Sequence, residues 1–225
     1  MNEFLLDNPA WSALTTEHAE FAMGTACAKR YRPGVVPFTA CRHPEEEGIM
    51  ELAPWMGQGE SFYIIGNLPS ALPPHWVVEH ELPCAQMLLQ QPPQQEKDSG
   101  IVLLGPADAE AMYQLINLVQ PGYYNIDTRL LGTYFGIKQE GELVAMAGER
   151  MRMTGLSELS AICTHPQHTG RGYAQRLIAR LCGMHAEKGI TPFLHVALSN
   201  ARAIRLYEHM GFVQRRVISF HRAKA

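Results

Sequence analysis

Apolar and polar positions along the second half of the chain alternate between two periods, and each change of period marks an element. Ile101 to Leu104 is a short continuous apolar run that reads as a strand. Through Gly105 and Pro106 it passes into a stretch where Met112, Leu115, Ile116 and Val119 recur at helical spacing. Thr133 to Lys138 and Leu143 to Met153 read as a hairpin turning at Glu140 and Gly141. An apolar strand beginning near Ser157 ends at Thr164, and after Pro166 the pattern becomes an amphipathic helix that buries Ala174, Leu177, Ile178 and Leu181. Phe193 to Leu198 is another strand. Asn200 to Phe212 reads as a short helix with Asn200 as N-cap and Gly211 just past its end, and Val213 to Ile218 is a closing strand.

The first half is less periodic. Ala10 to Met23 and Glu45 to Trp55 read as helices, and Ser61 to Gly66 and Trp76 to Glu79 as strands. Residues 90–100 are rich in Pro and Gln and read as a linker, so the chain divides into an N-terminal α+β region at 1–89, a linker, and an α/β domain at 101–225. The N-terminal region is expected to be a diverged copy of the same fold or an unrelated α+β cap.

With 225 residues, the chain can bury a substantial core. No apolar run approaches the roughly 20 residues of a membrane span, and the N-terminus does not read as a signal peptide. A soluble, cytoplasmic protein is expected. Cys27, Cys41, Cys84, Cys163 and Cys182 are odd in number and form no CxxC pair, which points to reduced, mostly buried thiols and no metal site. The net charge of −3 hides an asymmetry: ten Lys or Arg stand against two acids from His165 onward, and nine against twenty before it. The basic residues are scattered through helices without a nucleic-acid motif, so they suit a phosphate-bearing ligand better than a nucleic-acid partner.

The chemistry concentrates at Gln167, His168, Thr169, Gly170, Arg171 and Gly172, between a strand and a helix. Two glycines let the backbone turn with its N–H groups outward, and the positive end of a helix dipole lies behind them. The N–H groups of Gly170 to Ala174 form an anion cradle, with Arg171 adding a charge. Gly172 is followed by Tyr173 and Ala174 rather than Lys and Ser or Thr, which excludes a nucleotide-triphosphate loop, and Gln175 holds the place of the third glycine of a dinucleotide fingerprint.

This loop resembles the pyrophosphate loop of the GNAT superfamily of N-acetyltransferases. Asn200, Ala203, Tyr207, Glu208, Gly211 and Phe212 resemble that family's motif on the helix after its fifth strand, and Ser160 to Pro166 resembles the branch with glycine-acyltransferase-like domains. The resemblance implies an α/β (α+β) fold, a mixed, mostly antiparallel sheet flanked by helices, binding acetyl-CoA as co-substrate. It implies that Ile162, Cys163 and Thr164 align the pantetheine arm. Gln167, Thr169, Gly170, Arg171, Gly172, Tyr173 and Ala174 would hold the pyrophosphate, with Asn200, Ala203 and Tyr207 completing the site. Tyr207 would protonate the coenzyme A thiolate. Glu158 and Glu149 are the candidates for the base, His195 a further possibility, and Cys163 is read as packing. Two readings stay open: an N-acetyltransferase acting by direct attack of a primary amine of a small molecule, amino acid or peptide, and a noncatalytic acyl-CoA-binding module. Neither the acceptor nor the oligomeric state follows from these residues.

Overall fold

The structure, a computed structural model, describes residues 3–44, 46–93 and 100–225. Among these residues the strands are β1 (Ala22–Gly24), β2 (Ala28–Tyr31), β3 (Phe38–Cys41), β4 (Ser61–Ile65), β5 (Val77–Leu89), β6 (Ile101–Leu103), β7 (Tyr134–Gln139), β8 (Glu142–Met153), β9 (Leu156–Thr164), β10 (Thr191–Ala197) and β11 (Phe212–Lys224). The helices are α1 (Pro9–Leu14), α2 (Ala109–Val119), α3 (Tyr173–Glu187) and α4 (Ala201–His209). All the strands join one sheet in the order β1, β2, β3, β4, β11, β5, β10, β9, β8, β7, β6. Only β3 with β4 and β9 with β10 pair in parallel, so the sheet is mixed and mostly antiparallel, as expected.

From Ile101 to α4 each element lies within two residues of where the periodicity puts it. The hairpin turns at Glu140 and Gly141, both in the left-handed region at φ +52° and +87°, the geometry that two-residue hairpin loops require. Leu177, Ile178 and Leu181 are buried on the inner face of α3, while Ala174 is only half-buried.

The first half departs further from expectation. The helix expected over Ala10 to Met23 stops at Leu14. Thr15 and Thr16 turn their hydroxyls back onto the carbonyls of Trp11 and Ser12, and His18 is drawn inside to Tyr31 and the Leu131 carbonyl, which leads the chain out of the helix. Glu47–Trp55 winds as a 3-10 helix with Pro54 inside it.

The strand expected at Trp76 to Glu79 runs instead to Leu89 and lies between β10 and β11, antiparallel to both. Its inner part is buried on both faces. Cys84 and Leu88 join the core against α1, β2 and β3, while Ala85, Met87 and Leu89 join the core against α3 and α4. The segment before residue 90 thus supplies a central strand of the sheet that carries the site. Of the expected linker, residues 94–99 lie outside the described residues.

Candidate active site

The cradle forms where β9 gives way to α3. Pro166–His168 makes one 3-10 turn, and Gly170 and Gly172 then adopt φ +78° and +73°, conformations that cost an L side chain strain. Gly172 is the N-cap of α3 and offers no side chain to its first turn. The N–H groups of that turn have no intrahelical acceptor, so they face outward beside the exposed Arg171. These residues fit an anionic group.

The wedge beside the cradle comes from strand geometry. β9 and β10 pair only over Leu156–Thr191, Ser157–Pro192 and Glu158–Phe193, and beyond these pairs they part. Between Gly148–Ser160 and Met146–Cys163, β9 carries one residue more than β8, a bulge at which Ala161 sits at φ +51°. A cavity of about 540 Å³ occupies the opening. Ile162, Cys163, Thr164, Thr169, Gly170, Arg171, Gly172, Tyr173 and Ala174 line it from β9 and the cradle, and Asn200, Ala203 and Tyr207 line it from α4. Gln167 does not. It lies exposed on the 3-10 turn, where its backbone N–H donates to His165 Nδ1 at 3.3 Å.

α4 is aimed by both its ends. Asn200 Oδ1 accepts the N–H of Ala203 at 3.1 Å, and Gly211 leaves the helix at φ +88°, where a Cβ would stand 2.0 Å from the Gln91 carbonyl oxygen. Tyr207 is 9% exposed, and its hydroxyl has no hydrogen-bond partner among the described residues. Burial pushes this phenol up to about 12, so it keeps its proton at neutral pH. Burial likewise raises the Cys163 thiol to about 12, which leaves it unreactive and suits packing.

Neither expected base is free to act as one. Strand alternation turns Glu149 and Glu158 to opposite faces of the sheet. Glu149 faces α3, away from the cavity, and accepts from Ser157 Oγ at 2.6 Å, His185 Nε2 at 2.8 Å and the Thr133 N–H at 2.7 Å. Burial alone would raise its pKa, but these three donors outweigh burial and hold it at about 2. Glu158 faces the other way and accepts from Arg150 twice, Nε at 2.9 Å and Nη2 at 2.5 Å, and from His195 Nδ1 at 2.8 Å. Burial is again overcome, here by the charge and hydrogen bonds of Arg150 and the hydrogen bond of His195, and Glu158 also sits at about 2.

The network continues outward and settles the tautomer of His195. Gln86 Oε1 accepts from Arg215 at 2.9 Å, which turns the Gln86 amide nitrogen to the Leu6 carbonyl at 2.8 Å and to His195 Nε2 at 3.1 Å. Nε2 is therefore an acceptor, and the proton lies on Nδ1, donated to Glu158. Both ring nitrogens of His195 are occupied. Among the described residues lining the cavity, the charged side chains are Arg150, Arg171 and Arg202, with no carboxylate. No acid of the first half of the chain is among the described residues of this lining.

Solved structures supply the family. A GNAT-family protein from Novosphingobium aromaticivorans DSM 12444, assigned as an acetyltransferase, is 36% identical, with 98% of each chain covered and a TM-score of 0.89. This chain belongs to the GNAT family of acetyltransferases. The family model described as FR47-like protein matches residues 134–220, from β7 into β11. A GCN5-related N-acetyltransferase from Kribbella flavida shares the fold at 14% identity over 100% of this chain and 95% of its own, with a TM-score of 0.62. A GNAT-family acetyltransferase from Colwellia psychrerythraea does so at 17% identity over 64% and 57%, with a TM-score of 0.53. No curated protein matches the chain. No described helix is long and apolar enough to cross a membrane.

In this GNAT acetyltransferase the residues that sequence reasoning passed over are Arg150 and Gln86. Arg150 gave one signal, its place among the three charged residues, with Glu149 and Arg152, that interrupt the apolar run from Leu143 to Met153. Gln86 gave none, because its role depends on elements far away in the chain.

Proposed function

We propose that the protein transfers an acetyl group from acetyl-CoA to a primary amine by direct attack, without a covalent acyl-enzyme. The observation that carries this reading is that the anion cradle and the unpartnered, protonated Tyr207 open onto one cavity. The N–H groups of residues 170–174 hold the pyrophosphate, with Arg171 and Arg202 contributing charge. The pantetheine arm lies along Ile162 to Thr164, and backbone released by the bulge at Ala161 donates to the thioester oxygen as it becomes anionic. The amine nitrogen bonds to the thioester carbon, the C–S bond breaks, and Tyr207 protonates the departing thiolate. The proton lost by the amine goes to water, since Glu149 and Glu158 are occupied elsewhere. Tyr207 regains its proton from solvent, leaving an amide and free coenzyme A.

Thermal unfolding with and without acetyl-CoA tests the cradle, with ATP and NADH as controls. At one hundred times the dissociation constant, bound ligand adds about 2.7 kcal/mol and raises the midpoint by about 5 to 11 °C for a chain of this length. Release of free thiol in the presence of amines tests the transfer. An equal shift with ATP, or no shift with acetyl-CoA, overturns the reading.

A further inference from the structure

Among the described cavity-lining cations Arg150, Arg171 and Arg202, the proposed mode of holding acetyl-CoA leaves Arg150 unused. It lies on β8 at the start of the wedge, away from Arg171 on the cradle and Arg202 on α4. Its side chain is 10% exposed, with the guanidinium carbon 5.0 Å from the Phe38 ring centroid and 5.7 Å from that of Phe220. Nε and Nη2 are committed to Glu158. Nη1 has no acceptor among the described residues, and protein does not enclose it, so it opens on the cavity. Tyr124 lines the same cavity, but its hydroxyl is enclosed by protein and has no hydrogen-bond partner among the described residues. A guanidinium fixed by two hydrogen bonds to Glu158, with its third nitrogen open on a cavity, marks a place for an acceptor group that a ligand brings.

We propose that Arg150 forms an anion subsite in the wall of this cavity, and that the acceptor is an amine carrying a carboxylate, an amino acid being the simplest case. This rests on the amine acetylation proposed above. Guanidinium N–H groups match carboxylate oxygens in direction and charge. Stacking on Phe38 and Phe220 and the anchoring through Glu158, His195 and Gln86 hold the guanidinium in place before a ligand arrives, so little ordering is left for binding to supply. A polyamine or a lysine-rich peptide finds no carboxylate among the described residues of this lining to neutralise it.

Thiol release at saturating acetyl-CoA, compared between free amino acids and the matching amino-acid amides, decides the matter. The acids are expected to show kcat/KM about ten- to a hundredfold higher, the range of one charge-assisted hydrogen bond. The amide's amine is the less basic of the two, so intrinsic reactivity works against this order. Arg150→Lys keeps a positive partner for Glu158 and is expected to erase most of the preference through KM. If that variant does not fold, the paired change Arg150→Gln with Glu158→Gln replaces the ion pair by two amides. Amides turned over as well as acids, or a folded variant with the preference intact, overturn the subsite while leaving the acetyltransferase reading in place. A second readout does not depend on turnover: N-acetyl amino acids are expected to raise the midpoint of the wild-type protein more than their amides do. That difference without thiol release from any amine supports the subsite and overturns the amine chemistry, and equal shifts overturn the subsite.

Discussion

The two ends of the cavity are built by different means. The cradle is backbone: two glycines in the left-handed region, the uncapped first turn of α3, and a bulged strand, all within residues 161–174. The floor is side chain. Arg150, Glu158, His195, Gln86 and Arg215 come from β8, β9, β10, β5 and β11, strands brought together only by the sheet order. A backbone site needs local conformation and little else, so a short motif encodes it. A site of buried charges needs every partner present at once, because each charge is tolerated only through the others.

Tyr207 belongs to neither end and touches the chemistry of both, so its removal has the largest expected effect. Tyr207→Phe takes away the proton for the thiolate and is expected to lower kcat by about 10²- to 10⁴-fold, while stabilisation by acetyl-CoA persists. Steady-state kinetics together with the thermal shift separate the two. A variant with wild-type kcat would remove Tyr207 from the mechanism and leave it a packing residue against Phe212.

The floor should then break globally. Glu158→Ala leaves Arg150 buried with its main counter-charge gone, an expected loss of about 3–5 kcal/mol. For a chain of this size that lowers the melting midpoint by about 6 to 20 °C. Differential scanning calorimetry measures it, and a loss under about 1 kcal/mol would mean that the pair is solvated and the floor is not the rigid anchor described above.

This difference in construction also explains what could be read in advance. Gly170, Gly172, Asn200 and Gly211 announced themselves because Gly and Asn have narrow local reasons for being where they are: positive φ, an N-cap, a helix end. The strands from β6 to β10 were legible because their apolar periods are clean. Glu158 and Glu149 were recognised as special, but the buried partners that occupy both carboxylates were not. A carboxylate in an apolar strand looks like a catalytic base until its partners are known, and Arg150, His195, His185 and Ser157 lie 8 to 37 residues away. The inner part of β5 was missed because Pro83 breaks the apolar pattern and because its neighbours β10 and β11 follow it by more than 100 residues.

The cradle, by contrast, should break locally. Gly172→Val forces a β-branched residue into φ +73° at the N-cap, where the alternative is to reshape the turn. The unliganded protein is expected to lose only about 1–2 kcal/mol, the cost of one residue in that region. The acetyl-CoA shift is expected to vanish because the N–H groups no longer converge. A retained shift would mean that phosphate binding relies on Arg171 and Arg202 rather than on the loop geometry.

Mild acid gives the gentlest contrast, since the cradle's N–H groups do not titrate and the buried side chains do. His18 accepts from Tyr31 through Nδ1 and donates to the Leu131 carbonyl through Nε2, and burial, the largest influence on it, lowers its pKa to about 4. A base with a depressed folded pKa stabilises the native state fully above its unfolded value, near 6.5, and that contribution is lost as the pH falls through the folded value. Between pH 7 and 5.5 the expected loss is about 1 kcal/mol, or a midpoint lower by about 2 to 4 °C. Glu149 and Glu158 stay ionised throughout this window, because their folded values near 2 place their loss below the ordinary carboxylate range. Urea titrations of the wild type and of His18→Gln, which keeps a donor and an acceptor but does not titrate, measure the slope. The variant is expected to be flat between pH 7 and 5.5, and both proteins are expected to fall steeply only below about pH 4.5, where Glu149 and Glu158 take up protons in the unfolded chain but stay ionised in the folded one.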